Sequence, residues 1–242
     1  MPSIETLVQS MQAQWLRHEI LANNLANAST PGFKHDDLAI VPDAGVASAQ
    51  PTNLLAVPTG GGLIQWTDFS QGSIQGTGRA LDAAINGPGF FVVDAPAGPR
   101  YTRTGVFDIR ADGVLVGPTG APVLGARGPI TVTSARVRIG PGGEVFDSGR
   151  MVDTLTVVDF PRPYPLLKDG HTLFAAATGA AEPAPAKGYE IAGGALEGSN
   201  TSTVQMMVSM IDVLRTYEAA QRAMQAMEEA NQHATSDIGK VS

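Results

Sequence analysis

The chain has 242 residues, enough for one sizeable core with appendages and too few for two enzyme-sized halves. A formal charge of -7, from 23 acidic against 16 basic residues, leaves no basic stripe for a phosphate backbone and argues against nucleic acid as a partner. Cysteine is absent, which excludes disulfides, thiolate nucleophiles and cysteine-ligated metal clusters, while 28 glycines and 17 prolines point to short strands and many turns.

Residues 1–20 carry Glu5, Gln9, Gln12, Gln14, Arg17, His18 and Glu19, so no apolar core of a cleaved secretory signal is expected there. No apolar run of membrane-spanning length occurs, and direct membrane insertion is not expected. Over the same stretch Ile4, Val8, Met11, Trp15, His18, Ala22 and Leu25 recur at alternating helical steps, with Leu7 and Leu21 beside them. The stripe predicts an amphipathic helix. It should end at Asn27-Ala28-Ser29-Thr30-Pro31-Gly32, because Pro disfavours helical geometry in the residue before it and Gly turns the chain.

In the middle, apolar runs of strand length alternate with turn dipeptides. Phe90 to Val93, Val106 to Ile109, Val114 to Val116, Val137 to Ile139 and Leu155 to Phe160 are strand candidates, punctuated by Asp112-Gly113, Gly142-Gly143 and Asp169-Gly170. Pro42 to Gly62 and Ala175 to Lys187 are poor in large apolar groups and read as linker and loop. A second helix is expected after Ser199, Asn200 and Thr201, any of which could cap it. Val204, Met207, Met210, Ile211, Leu214, Tyr217 and Met224 form its apolar side. The expected class is α+β, with two terminal helices around a mostly antiparallel β domain. The divisions are 1–34 for the first helix and turn motif, 35–75 for an extended linker, 76–190 for the β domain and 191–242 for a return segment and the last helix.

Catalytic patterns are thin. His18, His35, His171 and His233 are scattered, without HExxH spacing, so no metal site is expected. Gly87-Pro88-Gly89 starts like a dinucleotide loop, but Val92 stands where the third glycine belongs, so it reads as a turn and no cofactor is expected. Asp36-Asp37 and Glu228-Glu229 are neighbours whose side chains diverge. A secreted hydrolase or a monomeric β-domain adhesin remain as alternatives. The first would lose activity on changing one polar residue of the β region, and the second would tolerate loss of residues 1–30.

An amphipathic stripe ordinarily marks a helix packed on its own domain. These two stripes instead lie at the chain ends, outside a middle that has apolar sequence enough for its own core, and terminal order commonly depends on context. Both ends are therefore expected to need other subunits, and to be disordered in the free monomer. The expected interface comprises Ile4, Val8, Met11, Trp15, Leu21 and Leu25 with Val204, Met207, Met210, Ile211, Leu214, Tyr217 and Met224.

The segment running from Asn23-Asn24-Leu25-Ala26-Asn27 through Thr30-Pro31-Gly32-Phe33-Lys34 resembles the N-terminal signature of bacterial flagellar rod and hook proteins. Asp68-Phe69-Ser70-Gln71-Gly72, the stretch from Thr77 to Val93, and Tyr101-Thr102-Arg103-Thr104-Gly105-Val106-Phe107 are similar to the family's central region. Leu196-Glu197-Gly198-Ser199-Asn200, followed by Met210-Ile211 and Arg215-Thr216-Tyr217-Glu218, is similar to its closing signature. Within the family the short length and the Thr30-Pro31-Gly32-Phe33 form are most similar to proximal rod subunits, then to distal rod subunits. Hook-type subunits should carry a larger central insertion.

The resemblance implies a structural, non-enzymatic subunit of the basal-body rod that transmits torque for motility. Both termini would form a coiled-coil layer inside the rod, under an outer β domain. Its partners would be copies of itself, the axial subunits above and below, and the flagellar type III export apparatus, which moves its substrates without signal cleavage. Asn23, Asn24, Asn27, Thr30, Pro31, Gly32 and Phe33 would form the turn motif, with the amides satisfying open backbone groups, Gly32 at positive φ and Phe33 anchoring the chain as it leaves the inner layer.

Overall fold

The computed structural model describes residues 4–42, 54–55, 61–134 and 136–238. Helix α1 spans Ile4–Ala26, helix α2 spans Thr203–Ile238, and strands occupy the interval, giving the α+β class. At 1.5 Å per residue the helices are about 35 Å and 54 Å long. α1 ends where the amide cluster begins: Asn27 N donates to Asn23 O at 3.2 Å and Thr30 N to Asn27 O at 3.0 Å. Gly32 then takes φ +70°. Ser202, one residue beyond the expected capping trio, immediately precedes α2, and its carbonyl accepts Met206 N at 2.9 Å. Asn200 does not cap the helix because its side-chain amide is bonded elsewhere.

The strand Phe90–Ala95 organises the β body. Successive residues of a strand face opposite sides, and here each side has its own core. Phe91 and Val93 join Ile85, Phe107, Leu115, Val145, Leu155 and Ile191. Phe90 and Val92 join Tyr101, Phe160, Leu166 and Phe174. The sheet through this strand has six members in the order Leu166–Asp169, Leu173–Ala176, Gly98–Thr102, Phe90–Ala95, Val157–Asp159 and Ala184–Pro185. Its pairings are antiparallel. Pro185 sits on the edge strand, where a missing donor costs least.

Three expected strands are shorter than their apolar runs, and in Val114 to Val116 the strand is Leu115–Val116 while Val114 only bridges Thr131. Asp108–Ile109 is a strand, whereas Val106 only bridges Asp82. In the run from Leu155 to Phe160 the chain changes partner: Leu155 bridges Gly125 and Thr156 N donates to Leu124 O, then Val157 and Val158 pair with Phe91 and Phe90. The expected linker contains an antiparallel ribbon, Asp36–Pro42 against Gly61–Thr67, with Asp36 opposite Thr67. Most of the loose stretch 42–62 lies outside the described residues. Two short ladders tie the return segment to the start of the body, Ile74–Gly76 with Ala195–Glu197 and Ala83–Asn86 with Glu190–Gly193.

Candidate assembly joint and helix interface

Segments far apart in the chain meet where the helices join the body. Lys34 leaves the turn motif with its side chain fully buried, and its Nζ lies 2.5 Å from Oε1 of Glu197, which is equally buried at the end of the strand Ala195–Glu197. The other carboxylate oxygen of Glu197 meets Arg103 at 3.2 Å. Two cations thus share one carboxylate. The remaining bonds also join separate segments: Lys34 donates to Ser70 O at 2.6 Å, Arg103 to Gly87 O at 2.7 Å and Ile85 O at 3.2 Å, and Gly72 N to Glu197 Oε1 at 2.9 Å. Burial pushes the Lys34 ammonium and the Arg103 guanidinium below their ordinary values, and the Glu197 carboxylate opposes both shifts. A buried charge left unpaired is costly, so the triad fixes the mutual position of four segments.

Backbone contacts reinforce this clamp. Gly32 N donates to Glu197 O at 2.7 Å and Gly198 N to Ser73 O at 2.8 Å. At Gly32 a Cβ would overlap the Thr104 backbone, so the turn packs directly on the body. Phe33 is buried beneath Lys168, whose ammonium stands 4.3 Å from the ring centroid and 2.8 Å from Asp36. Asn24 and Asp36 exchange hydrogen bonds, Nδ2 to the Asp36 carbonyl at 2.7 Å and Asp36 N to Oδ1 at 3.0 Å. Asn200 accepts from His35 N at 2.9 Å and donates to Asp68 O at 2.8 Å. Asn27 donates to the Asn23 carbonyl at 2.9 Å and accepts from Thr30 Oγ1 at 3.2 Å. Of the expected turn residues, Asn24, Asn27, Gly32 and Phe33 are buried, Thr30 and Pro31 half-buried and Asn23 exposed. Nothing in the sequence pattern marked Lys34, Arg103 and Glu197 as partners, although each stands inside a motif already singled out.

α1 arrives at this joint and α2 leaves it, so the two helices run antiparallel and pack together. Along α2 the positions sheltered from solvent are Met206, Met210, Val213, Tyr217, Ala220, Met224 and Met227, with Ser209 beside them. Tyr217 and Met224 border a shallow groove with Val8, Met11 and Trp15 of α1. A second apolar row lies about 140° further round the helix. It comprises Val204 (73% exposed), Met207, Val208, Ile211 and Leu214 (46%). The single expected stripe therefore divides into an inner seam, with Met210, Tyr217 and Met224, and an outer row, with Val204, Met207, Ile211 and Leu214. On α1, Leu21 is buried, Met11 and Leu25 are half-buried, and Val8 and Trp15 (59%) are exposed. The side chain of Ile4 lies outside the described residues.

Comparison with known proteins matches the same segments. Residues 4–34 match the family described as flagella basal body rod protein, residues 84–146 the flagellar hook protein FlgE/F/G D1 domain, and residues 192–236 the flagellar basal body rod FlgEFG protein C-terminal region. The flagellar basal-body rod protein FlgF of Caulobacter vibrioides is 35% identical over 230 residues, which cover 92% of each chain. The chain belongs to the flagellar basal-body rod protein family. FlgF of Salmonella typhimurium is 32% identical over 87% of both chains, and a rod protein FlgG of Buchnera aphidicola is 30% identical over 94% of this chain and 96% of its own. As a member of this family the chain is a structural subunit of the flagellar basal-body rod. Each of the three matched segments supplies one member of the buried triad: Lys34 from the first, Arg103 from the second and Glu197 from the third.

Proposed function

We propose that this rod-family chain is a proximal rod subunit that polymerises through its terminal helices. Its partners are copies of itself, the axial subunits above and below, and the flagellar export apparatus that delivers it. The observation that carries this reading is the outer row of α2, five large apolar side chains that a single chain leaves uncovered. An apolar row rimmed by polar residues marks a protein interface. Contacts of this kind run from one surface to a different one, so they propagate as an open helix rather than closing as a dimer. The buried triad complements it: torque passed from helices to body needs a stiff joint, and paired charges without access to water resist bending.

The experiment is to image purified basal bodies from cells in which this chain alone carries a label. A proximal rod subunit appears in the segment nearest the inner membrane. Label in the distal rod or the hook would assign it there, and absence from the rod would overturn the reading.

A further inference from the structure

Gln71 lies in the motif Asp68 to Gly72, is exposed, and takes no part in the buried triad. Its amide closes instead on two groups of a distant dipeptide. Oε1 accepts from Gly87 N at 3.0 Å, and Nε2 donates to Oδ1 of Asn86 at 3.2 Å. A main-chain N–H can only donate, so the orientation of the Gln71 amide is fixed. Asn86-Gly87 is the one Asn-Gly step in the 242 residues. Asparagine deamidates most readily at such a step, because a following residue without a side chain leaves its nitrogen open to attack the asparagine carbonyl.

The fold requires that glycine. Gly87 has φ +112°, and a Cβ there would stand 2.8 Å from the Gly188 carbonyl oxygen. Its own carbonyl accepts from Arg103 at 2.7 Å, so it belongs to the joint. Asn86, exposed at the end of the strand Ala83–Asn86, pairs with Glu190. In deamidation the Gly87 nitrogen gives its proton to a solvent base and bonds to Cγ of Asn86, the Cγ–Nδ2 bond breaks, and ammonia leaves. Water then opens the succinimide to aspartate or isoaspartate, so the net change consumes water and releases ammonia. An isoaspartate runs the main chain through Cβ. That adds a carbon between the pairing with Glu190 and the carbonyl that Arg103 holds.

We propose that Asn86 is a deamidation site and that Gln71 guards it. The proton that must leave Gly87 N is the one that Gln71 Oε1 accepts, and the bond to Oδ1 keeps the Asn86 side chain from turning its Cγ onto that nitrogen. One side chain thus restrains both reacting groups.

The test incubates the folded, full-length chain at mildly alkaline pH and follows the Asn86 peptide by mass spectrometry, with fragmentation to distinguish isoaspartate from aspartate. Gln71→Met keeps the length of the side chain and removes both bonds. Deamidation at Asn86 should then run about three- to tenfold faster than in the parent, the effect expected from one or two lost hydrogen bonds. In concentrated urea, where the clamp does not exist, parent and variant should react at the same rate. Lys34→Met weakens the joint without touching either Gln71 bond and controls for unfolding. Three results overturn the proposal: equal rates in the folded parent and Gln71→Met; a slower Gln71→Met, in which case the Gln71 amide promotes the reaction by stabilising charge on Oδ1; and a rise in Lys34→Met as large as in Gln71→Met, which traces the reaction to general opening of the fold.

Discussion

Lys34 and Glu197 stand 163 positions apart in the chain, yet their side chains meet at 2.5 Å with neither reaching solvent. Arg103 touches the same carboxylate, so the members of the cluster are not equivalent. Glu197→Gln leaves two buried cations without a counter-charge. Lys34→Met leaves Arg103 and Glu197 in balance. Breaking a buried pair costs about 3–5 kcal/mol, and Glu197→Gln should lose that much in a urea titration, with Lys34→Met losing clearly less. Equal midpoints for the two variants would mean that the cluster is not organised around the carboxylate.

The turn motif separates two effects within adjacent residues. Gly32 has φ +70° and faces the Thr104 backbone, so Gly32→Ala incurs about 1–3 kcal/mol of backbone strain and also pushes the turn off the body. Pro31 is half-buried, and Pro31→Ala mainly frees the unfolded chain, at about 0.4–1 kcal/mol. Thermal unfolding of both variants should rank Gly32→Ala well below Pro31→Ala. A motility assay should follow the same order.

Acid should reach the β body through Asp147. The Ser134 hydroxyl donates to one carboxylate oxygen, while the Thr133 N–H and hydroxyl donate to the other at 2.8 and 2.9 Å. These bonds hold the carboxyl down to about 2 from an ordinary 3.8. Because the folded state binds this proton less readily than the unfolded state, the contribution is complete above about pH 4 and drains away as pH falls toward 2. Asp147→Asn should remove that part of the acid dependence, which near-UV circular dichroism across the same range would read. An unchanged acid limb would place the responsible carboxylate elsewhere.

The turn at Gly32 was legible because a helix running into Asn, Ser, Thr, Pro and Gly has few ways to end, and one of them needs positive φ at the glycine. The strand through Phe90 was legible for a similar reason, since four consecutive apolar residues can be buried on both faces only at the centre of a sheet. The triad was not legible. A lysine, an arginine and a glutamate in separate motifs carry no address in the linear order, and a surface role was as consistent with each of them. Asn200 looked like a helix cap for the same kind of reason: its type suits the role, but its amide has richer partners in His35, Asp68 and Ser70.

Helix α2 shows a different limit, and it supports the last prediction. Met210 and Ile211, or Val213 and Leu214, are neighbours in sequence that a broad apolar arc cannot sort into separate faces. Packing against α1 sorts them: Val213 is 4% exposed, whereas Ile211 is 51% exposed. A lysine at position 211 adds charge to a surface already in water, and such changes ordinarily leave stability within about 0.5 kcal/mol. A lysine at 213 buries an unpaired ammonium in the seam and should separate the two helices. Far-UV circular dichroism and urea titration of the isolated chain should therefore find Ile211→Lys like the parent and Val213→Lys impaired, whereas no effect of either would mean that the ends are disordered in the free monomer and pair only on assembly. In cells, both should fail to yield a rod and a motile population. Ile211→Lys is the informative variant, because loss of assembly with an intact monomer that is still exported points to the outer row. Motility at the parental level with Ile211→Lys would mean that the row is ordinary solvent-facing surface, and the intersubunit contact would then have to be sought on α1 at Val8 and Trp15.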